Sequence, residues 1–212
     1  MSRRASRSLR DRPSRREAVE ARLLAVLERR LEQGQSLASI TVDSLVTEAG
    51  VSRANFYIHF QDKVDLLEGW LLETRRVLFD VSNAWYTTDA SQLTQARLND
   101  LLREIFDVYR ARMTLMRAMY ETVLHDPTMR EEFAEAFEQH FAALTEHIRA
   151  GQRDGAIGPE LDARATAEWL ICLIERVPMQ IDRKAARGEL EGHTVAIGHI
   201  IYRTLYDRAA SR

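Results

Sequence analysis

From Val19 to Leu205 the apolar residues of this chain recur at steps of three, four and seven and nowhere alternate, a period that a helix can bury on one face and a strand cannot. Nine glycines and four prolines in 212 residues are too few for a loop-rich β fold or a disordered chain. The expectation is therefore all-α, with about nine helices.

The punctuation divides the chain. Residues 1–13 are polar and end at Pro13, so they read as a disordered basic arm. Ser14, with Glu17 three helical positions on, opens a first helix carrying Val19, Leu23, Leu27 and Leu31 and running to Gly34. Thr41 and Asp43 open a short helix (Val42, Leu45, Val46) that Gly50 stops, and Ser52 caps another through about His59. A longer helix from Asp62 carries Leu67, Leu71, Leu78, Val81 and Trp85. Further helices are expected near 91–112 (Leu98, Leu102, Ile105, Tyr109), 127–152 (Phe133, Phe137, Phe141, Leu144, Ile148, stopping at Gly151), 162–184 and 190–208. Pro178 should kink or end the penultimate one. In this reading 14–61 is a three-helix domain and 62–212 a larger helical one.

Charge separates the same two parts. Residues 1–60 hold eleven arginines (3, 4, 7, 10, 12, 15, 16, 22, 29, 30, 53) against seven acids (11, 17, 20, 28, 32, 43, 48), so the overall formal charge of −2 is made of +4 there and −6 in the rest. A basic end on an acidic body suits a protein whose head meets a polyanion, although a merely basic tail gives the same count. The single cysteine, Cys172, excludes a disulfide framework and a thiolate metal cage. The longest apolar run, Trp169 to Ile174, is too short to span a bilayer, and no apolar stretch follows Arg3-Arg4 as a secretory signal requires. These features suit a cytoplasmic protein that needs no membrane and no cofactor.

The stretch Thr41–Leu67, TVDSLVTEAGVSRANFYIHFQDKVDLL, carries a mechanism. Two short helices meet at Gly50, which can take the left-handed conformation of a sharp corner, and the second begins at a serine cap. That is a helix-turn-helix, in which Ala49, Val51 and Phe56 pack the helices together and the start of the second helix is offered to a major groove. Thr41 and Ser52 stand at helix N-termini, where backbone N–H groups favour a phosphate oxygen. Tyr57, His59 and Lys63 add donors beside them.

The run AGVSRANFYIHFQDKVDLL resembles the TetR family of bacterial transcriptional repressors: an AGVS turn, a small-residue pair, an aromatic with Tyr, then His-Phe and a Lys opening the fourth helix. Gly50, Ser52, Phe56, Tyr57, His59, Phe60 and Lys63 carry the likeness, which covers about residues 14–67. It implies a homodimer on a palindromic operator of double-stranded DNA, with Tyr57, His59 and Lys63 on phosphates, and a small-molecule effector in the helical half. Asn55 departs from the Thr or Ser common at its position. Asparagine can pair with adenine N6 and N7, Arg53 with guanine O6 and N7 or with a phosphate, and Ala54 can meet a thymine methyl.

In the larger half, Tyr109, Met113, Met116 and Tyr120 form a stripe that suits plain core or an adaptable pocket wall. The resemblance places an apolar or aromatic effector among helices four to eight, with Trp85, Phe106, Tyr109, Met113, Met116, Phe137, Phe141 and Trp169 as lining. His140 and His147 share a helix face without an acidic ligand at metal-binding spacing. The helices near 162–184 and 190–208 spread apolar residues over several faces, Val195, Gly198, Tyr202 and Leu205 on one and Ile197, Ile200 and Ile201 off it. That spread, with Gly198 permitting close approach, reads as a dimer interface, or else as an intramolecular core that uses both faces. An enzyme is not expected. The alternatives are a helical metal-dependent phosphohydrolase, for which His125-Asp126 is the only trace, and a helical protein adaptor, which leaves the helix-turn-helix unexplained.

Overall fold

A computed structural model describes residues 15–125, 127–180 and 187–207, without the side chains of 122–136, 177–180 and 187–189. The described residues form eight α-helices and one short 3-10 turn, against about nine helices expected, and each of the eight falls on a stretch whose apolar period marks a helix. The arm 1–13, Ser14 and Asp126 lie outside the described residues. Contacts divide the chain into two units, Met1–Leu71 and Leu72–Arg212, the division falling inside the fourth helix.

The head contains α1 (Arg15–Glu32), a 3-10 turn (Leu37–Ser39), α2 (Val42–Ala49), α3 (Arg53–His59) and the first turns of α4 (Lys63–Tyr86). Its core is Val19, Leu23, Val26 and Leu27 of α1, Leu45 and Val46 of α2, Phe56 of α3, and Leu66 and Leu67 of α4, all buried. Burying an aliphatic or aromatic side chain contributes about 1.5–3 kcal/mol. Those two leucines explain why the start of α4 belongs to the head. Asp62 begins that helix by accepting from the N–H groups of Val64 (2.7 Å) and Asp65 (3.0 Å).

In the larger unit α5 (Gln95–His125) packs against α6 (Pro127–Arg153), α7 (Ala163–Gln180) and α8 (Arg187–Leu205). It buries Leu98, Leu101, Leu102, Ile105, Phe106, Tyr109, Met113, Leu115, Met116 and Met119, more than one stripe, so α5 is the central helix. The helix expected at 91–112 therefore continues to residue 125, and α6 passes through Gly151 to Arg153. On α7 the backbone stays helical through Pro178 to Gln180.

The inward face of α8 is Thr194, Ile197, Gly198, Ile201 and Leu205, whereas Val195, which the sequence places on one face with Gly198 and Leu205, is exposed together with Ile200. Gly198 has a different reason from the one its sequence suggests. A Cβ there would run into Asn99 of α5, so its close neighbour is a helix of the same chain.

A buried polar chain closes the unit. Trp85 Nε1 donates to the Tyr206 hydroxyl (2.8 Å), which hydrogen-bonds His147 Nε2 (2.7 Å), while His147 Nδ1 meets the Tyr86 carbonyl (3.1 Å). A carbonyl only accepts, so Nδ1 carries the proton and Nε2 accepts from Tyr206. Burial lowers the pKa of His147 and favours this neutral form.

Candidate nucleic-acid interface and interhelical cleft

The corner between α2 and α3 is set by backbone chemistry. Gly50 takes φ 62°, ψ 35°, the left-handed region that costs an L-residue about 1–2 kcal/mol and glycine nothing. Its N–H donates to the Thr47 carbonyl (3.2 Å) and that of Val51 to the Val46 carbonyl (2.9 Å), the paired bonds of a Schellman turn, and Val46 and Val51 are both buried. Thr41 Oγ1 accepts from Ser44 N (3.2 Å) and Ser52 Oγ from Asn55 N (3.1 Å), so both expected phosphate-facing residues cap their helices.

With Phe56 buried, α3 turns the opposite side outward: Arg53, Ala54 and Tyr57 are exposed, Asn55 and His59 part-exposed. Ile58, which the sequence did not single out, is 73% exposed on the same short helix. Arg53 pairs with Asp43 (2.8 Å), and its guanidinium lies 5.6 Å from the centre of the Tyr57 ring. Both members of that pair are exposed, so it is worth at most about 1 kcal/mol and holds the guanidinium in place without committing it. Arg30, by contrast, is committed: it bonds Glu48 (2.6 Å) and Ser44 Oγ (2.9 Å), and Arg29 joins Glu48 as well. These two arginines of the basic end tie α1 to α2.

Lys63 has a role its sequence position does not show. Its ammonium donates to the carbonyls of Leu37 (2.6 Å), Ala38 (3.2 Å) and Ile40 (2.7 Å), using all three hydrogens to seal the 3-10 turn against α4. Burial lowers its pKa and the neighbouring Asp62 opposes that shift.

The larger unit holds a cleft among α4, α5, α6 and α7, about 310 Å³ with its open mouth included, lined by Leu78, Ser82, Tyr86, Ile105, Tyr109, Phe137, His140, Ile171, Ile174 and Glu175. Of the expected lining residues, Tyr109 and Phe137 face it. Trp85, Phe106, Met113 and Met116 are core, Phe141 stacks with Arg164 (5.2 Å), and Trp169 is 77% exposed on the outside of α7. Trp169 lies away from this cleft because the buried stripe of α7 is Ala167, Leu170, Ile171 and Ile174, which leaves residue 169 on the opposite side.

Glu175 and His140 line the cleft although neither was among the residues expected there. Glu175 Oε1 accepts from the hydroxyls of Tyr120 (3.2 Å) and Tyr109 (3.3 Å), and burial pushes its pKa up to about 8. His140 Nδ1 meets the Tyr86 hydroxyl (2.9 Å), and burial pushes its pKa down to about 4, with Arg75 adding to the effect. A signal for Glu175 was present, since it stands four residues after Ile171 and eight after Ala167, a charge in register with a buried stripe. Among the described residues no group of three or more His, Cys, Asp or Glu could hold a metal, and no helix is long and apolar enough to cross a membrane. Asp126 and the side chain of His125 lie outside what is described.

Comparison with known proteins accounts for this arrangement. Residues 29–69 match the family described as bacterial regulatory proteins, tetR family, and residues 94–175 match that described as BetI-type transcriptional repressor, C-terminal. A search of curated proteins found no match. Among solved structures, the chain shares its fold with a transcriptional regulator from Saccharomonospora viridis in complex with choline (20% identity, TM-score 0.69, covering 91% of this chain and 98% of that one). The same holds for the TetR family regulator PfmR from Thermus thermophilus (17%, 0.66, 90% and 99%) and a TetR transcription regulator from Haloarcula marismortui (22%, 0.67, 90% and 97%). The two family matches together take in more than half of the chain, one on each unit, and the chain belongs to the TetR family of DNA-binding transcriptional regulators.

Proposed function

We propose that the protein is a repressor that binds a palindromic operator as a homodimer and leaves it when a small molecule occupies the cleft of the larger unit. The observation that carries the DNA half is the outward face of α3, where Arg53, Ala54, Asn55 and Tyr57 stand together beside a rigid corner. Arg53 and Asn55 read bases, Ala54 meets a thymine methyl, and Tyr57, His59 and the N-termini capped by Thr41 and Ser52 hold phosphates. Lys63 acts by bracing the turn that positions α2 and α3. The experiment is fluorescence anisotropy on DNA flanking the gene, followed by Asn55→Ala against single-base operator variants. A loss equal at every base position rejects base reading by Asn55, and an affinity indifferent to salt rejects DNA binding altogether.

Dimerisation through α7 and α8 is supported by the apolar side chains they turn outward, Trp169 on α7 and Val195 and Ile200 on α8. Exposed tryptophan and aliphatic side chains are what a helical interface uses as anchors. Sedimentation should show a dimer at micromolar concentration for the wild type and a monomer for Trp169→Glu. A wild-type monomer rejects the interface.

A further inference from the structure

We propose that Asp43 is a positioning residue for operator recognition: with the Tyr57 ring it holds the Arg53 guanidinium so that the Nε–Nη2 edge is offered to a guanine, and it keeps Arg53 from being spent on a phosphate. This rests on reading Arg53 as a base reader, and it adds a residue that acts through Arg53 without touching a base.

The first support is the geometry at two helix ends. Asp43 lies in the first turn of α2, after the Thr41 cap, and Arg53 is the first residue of α3, after the Ser52 cap. A carboxylate is favoured at such an end and a cation is not, because the free N–H groups carry partial positive charge. Arg53 therefore takes its orientation from its two neighbours rather than from its own helix. Both carboxylate oxygens approach a single nitrogen, Oδ1 at 2.8 Å and Oδ2 at 3.0 Å from Nη1. Tyr57, one turn further along α3, sets its ring centre 5.6 Å from the guanidinium carbon. With Nη1 taken, Nε and Nη2 have no hydrogen-bond partner among the described residues. The fork they form matches O6 and N7 of a guanine.

The second support is what the carboxylate costs. The side chains of Arg53 and Asp43 are 63% and 65% exposed, so the pair stands in solvent on the side that α3 turns outward. An acid there repels the phosphates of every DNA sequence alike. The other acid of α2 contrasts with it: Glu48 bonds Arg29 and Arg30 and so ties α1 to α2. Asp43 ties no helix of the core in this way, and an exposed ion pair adds little to stability. Its effect falls on Arg53 instead. A long arginine side chain left free reaches a phosphate as easily as a base edge, and a phosphate contact carries no sequence information. If Arg53 turns to a phosphate, the carboxylate is left unneutralised beside the DNA; if Arg53 meets guanine through Nε and Nη2, the pair survives. A guanidinium already held in place also loses less freedom on binding. Asp43 thus lowers affinity for all DNA and widens the gap between the right base and the wrong one.

The test uses the full chain and a duplex that it selects from a random-sequence pool, with every single-base variant of that duplex and a scrambled duplex, in fluorescence anisotropy titrations. Arg53→Ala identifies the base pair that Arg53 reads, as the one whose discrimination falls. At that base pair Asp43→Ala should lower discrimination at least about threefold and leave the other base pairs unchanged. The same variant should bind the scrambled duplex more tightly, and its slope of log affinity against log salt should steepen by about one as Arg53 moves onto a phosphate. In the Arg53→Ala background Asp43→Ala should change discrimination nowhere. Discrimination at that base pair unchanged in Asp43→Ala, with every duplex gaining affinity equally, overturns the proposal and reduces Asp43 to a surface charge. A loss that persists in the Arg53→Ala background overturns it too, since Asp43 then meets a base itself. If Arg53→Ala lowers affinity equally at every base pair, base reading by Arg53 fails and the proposal falls with it, a result distinct from the other two.

Discussion

Replacing Lys63 with Met separates two roles for one side chain. The three carbonyls it serves belong to residues 37, 38 and 40, more than twenty positions earlier, so a single side chain ties that turn to α4. A hydrogen bond to a charged group contributes a net ~1.5–3 kcal/mol. The bonds to Leu37 and Ile40 are part-buried and short, while the one to Ala38 is exposed and long and contributes little. Allowing for the partial desolvation of the ammonium, Lys63→Met should cost about 2–4 kcal/mol. In a chain of this size each kcal/mol lowers Tm by about 2–4 °C, so a fall of at least about 4 °C is expected by circular dichroism. The same variant should bind operator more weakly with an unchanged slope of log affinity against log salt, because a brace neutralises no phosphate. An unchanged Tm with a slope shallower by about one per lost contact would show that Lys63 works on DNA and would refute the brace.

Gly50→Ala should lower stability by about 1–2 kcal/mol in a urea titration, and from backbone strain alone, since a Cβ there meets nothing within 4 Å. Arg53→Ala should change stability by less than about 0.5 kcal/mol, its partner Asp43 being exposed, yet weaken operator binding in an anisotropy titration; equal loss in both would reduce Arg53 to a structural residue. Tyr206→Phe should cost about 2 kcal/mol or more, because it leaves the Trp85 indole N–H and His147 Nε2 buried without partners. Glu175→Gln should be stabilising at high pH. The folded carboxyl holds its proton up to about pH 8 whereas the unfolded one loses it near 4.5, so the wild type loses stability across that window and the variant does not. Urea melts of both proteins should diverge from about pH 4.5 to 8 and run parallel above; constant separation would mean that Glu175 is ionised throughout.

How much of this was legible beforehand differs between the two units. The head was readable nearly residue by residue because its signals are local. Thr41, Ser52 and Gly50 act on backbone within five positions of themselves, and each cap and corner appears where the sequence placed it. Lys63 is the exception, since its partners lie at a distance in sequence that no local rule spans. In the larger unit the period of the stripes was readable, but the direction each faces depends on the neighbours. Trp169 and Met113 were both expected to line a pocket, yet one is exposed and the other buried. Gly198 announced a close contact, and only packing shows that the contact is Asn99 of the same chain.

The sequence by itself determined the helical class, the two-part organisation and the turn that presents α3, because helix period, caps and a left-handed glycine are properties of a few consecutive residues. Tertiary structure alone decided that α5 is the central helix, that Lys63 closes a loop and that Glu175 ends in a cleft beside two tyrosines. Those facts depend on which distant side chains share a volume, and burial, which sets the charge state of Glu175, exists only once the helices have packed.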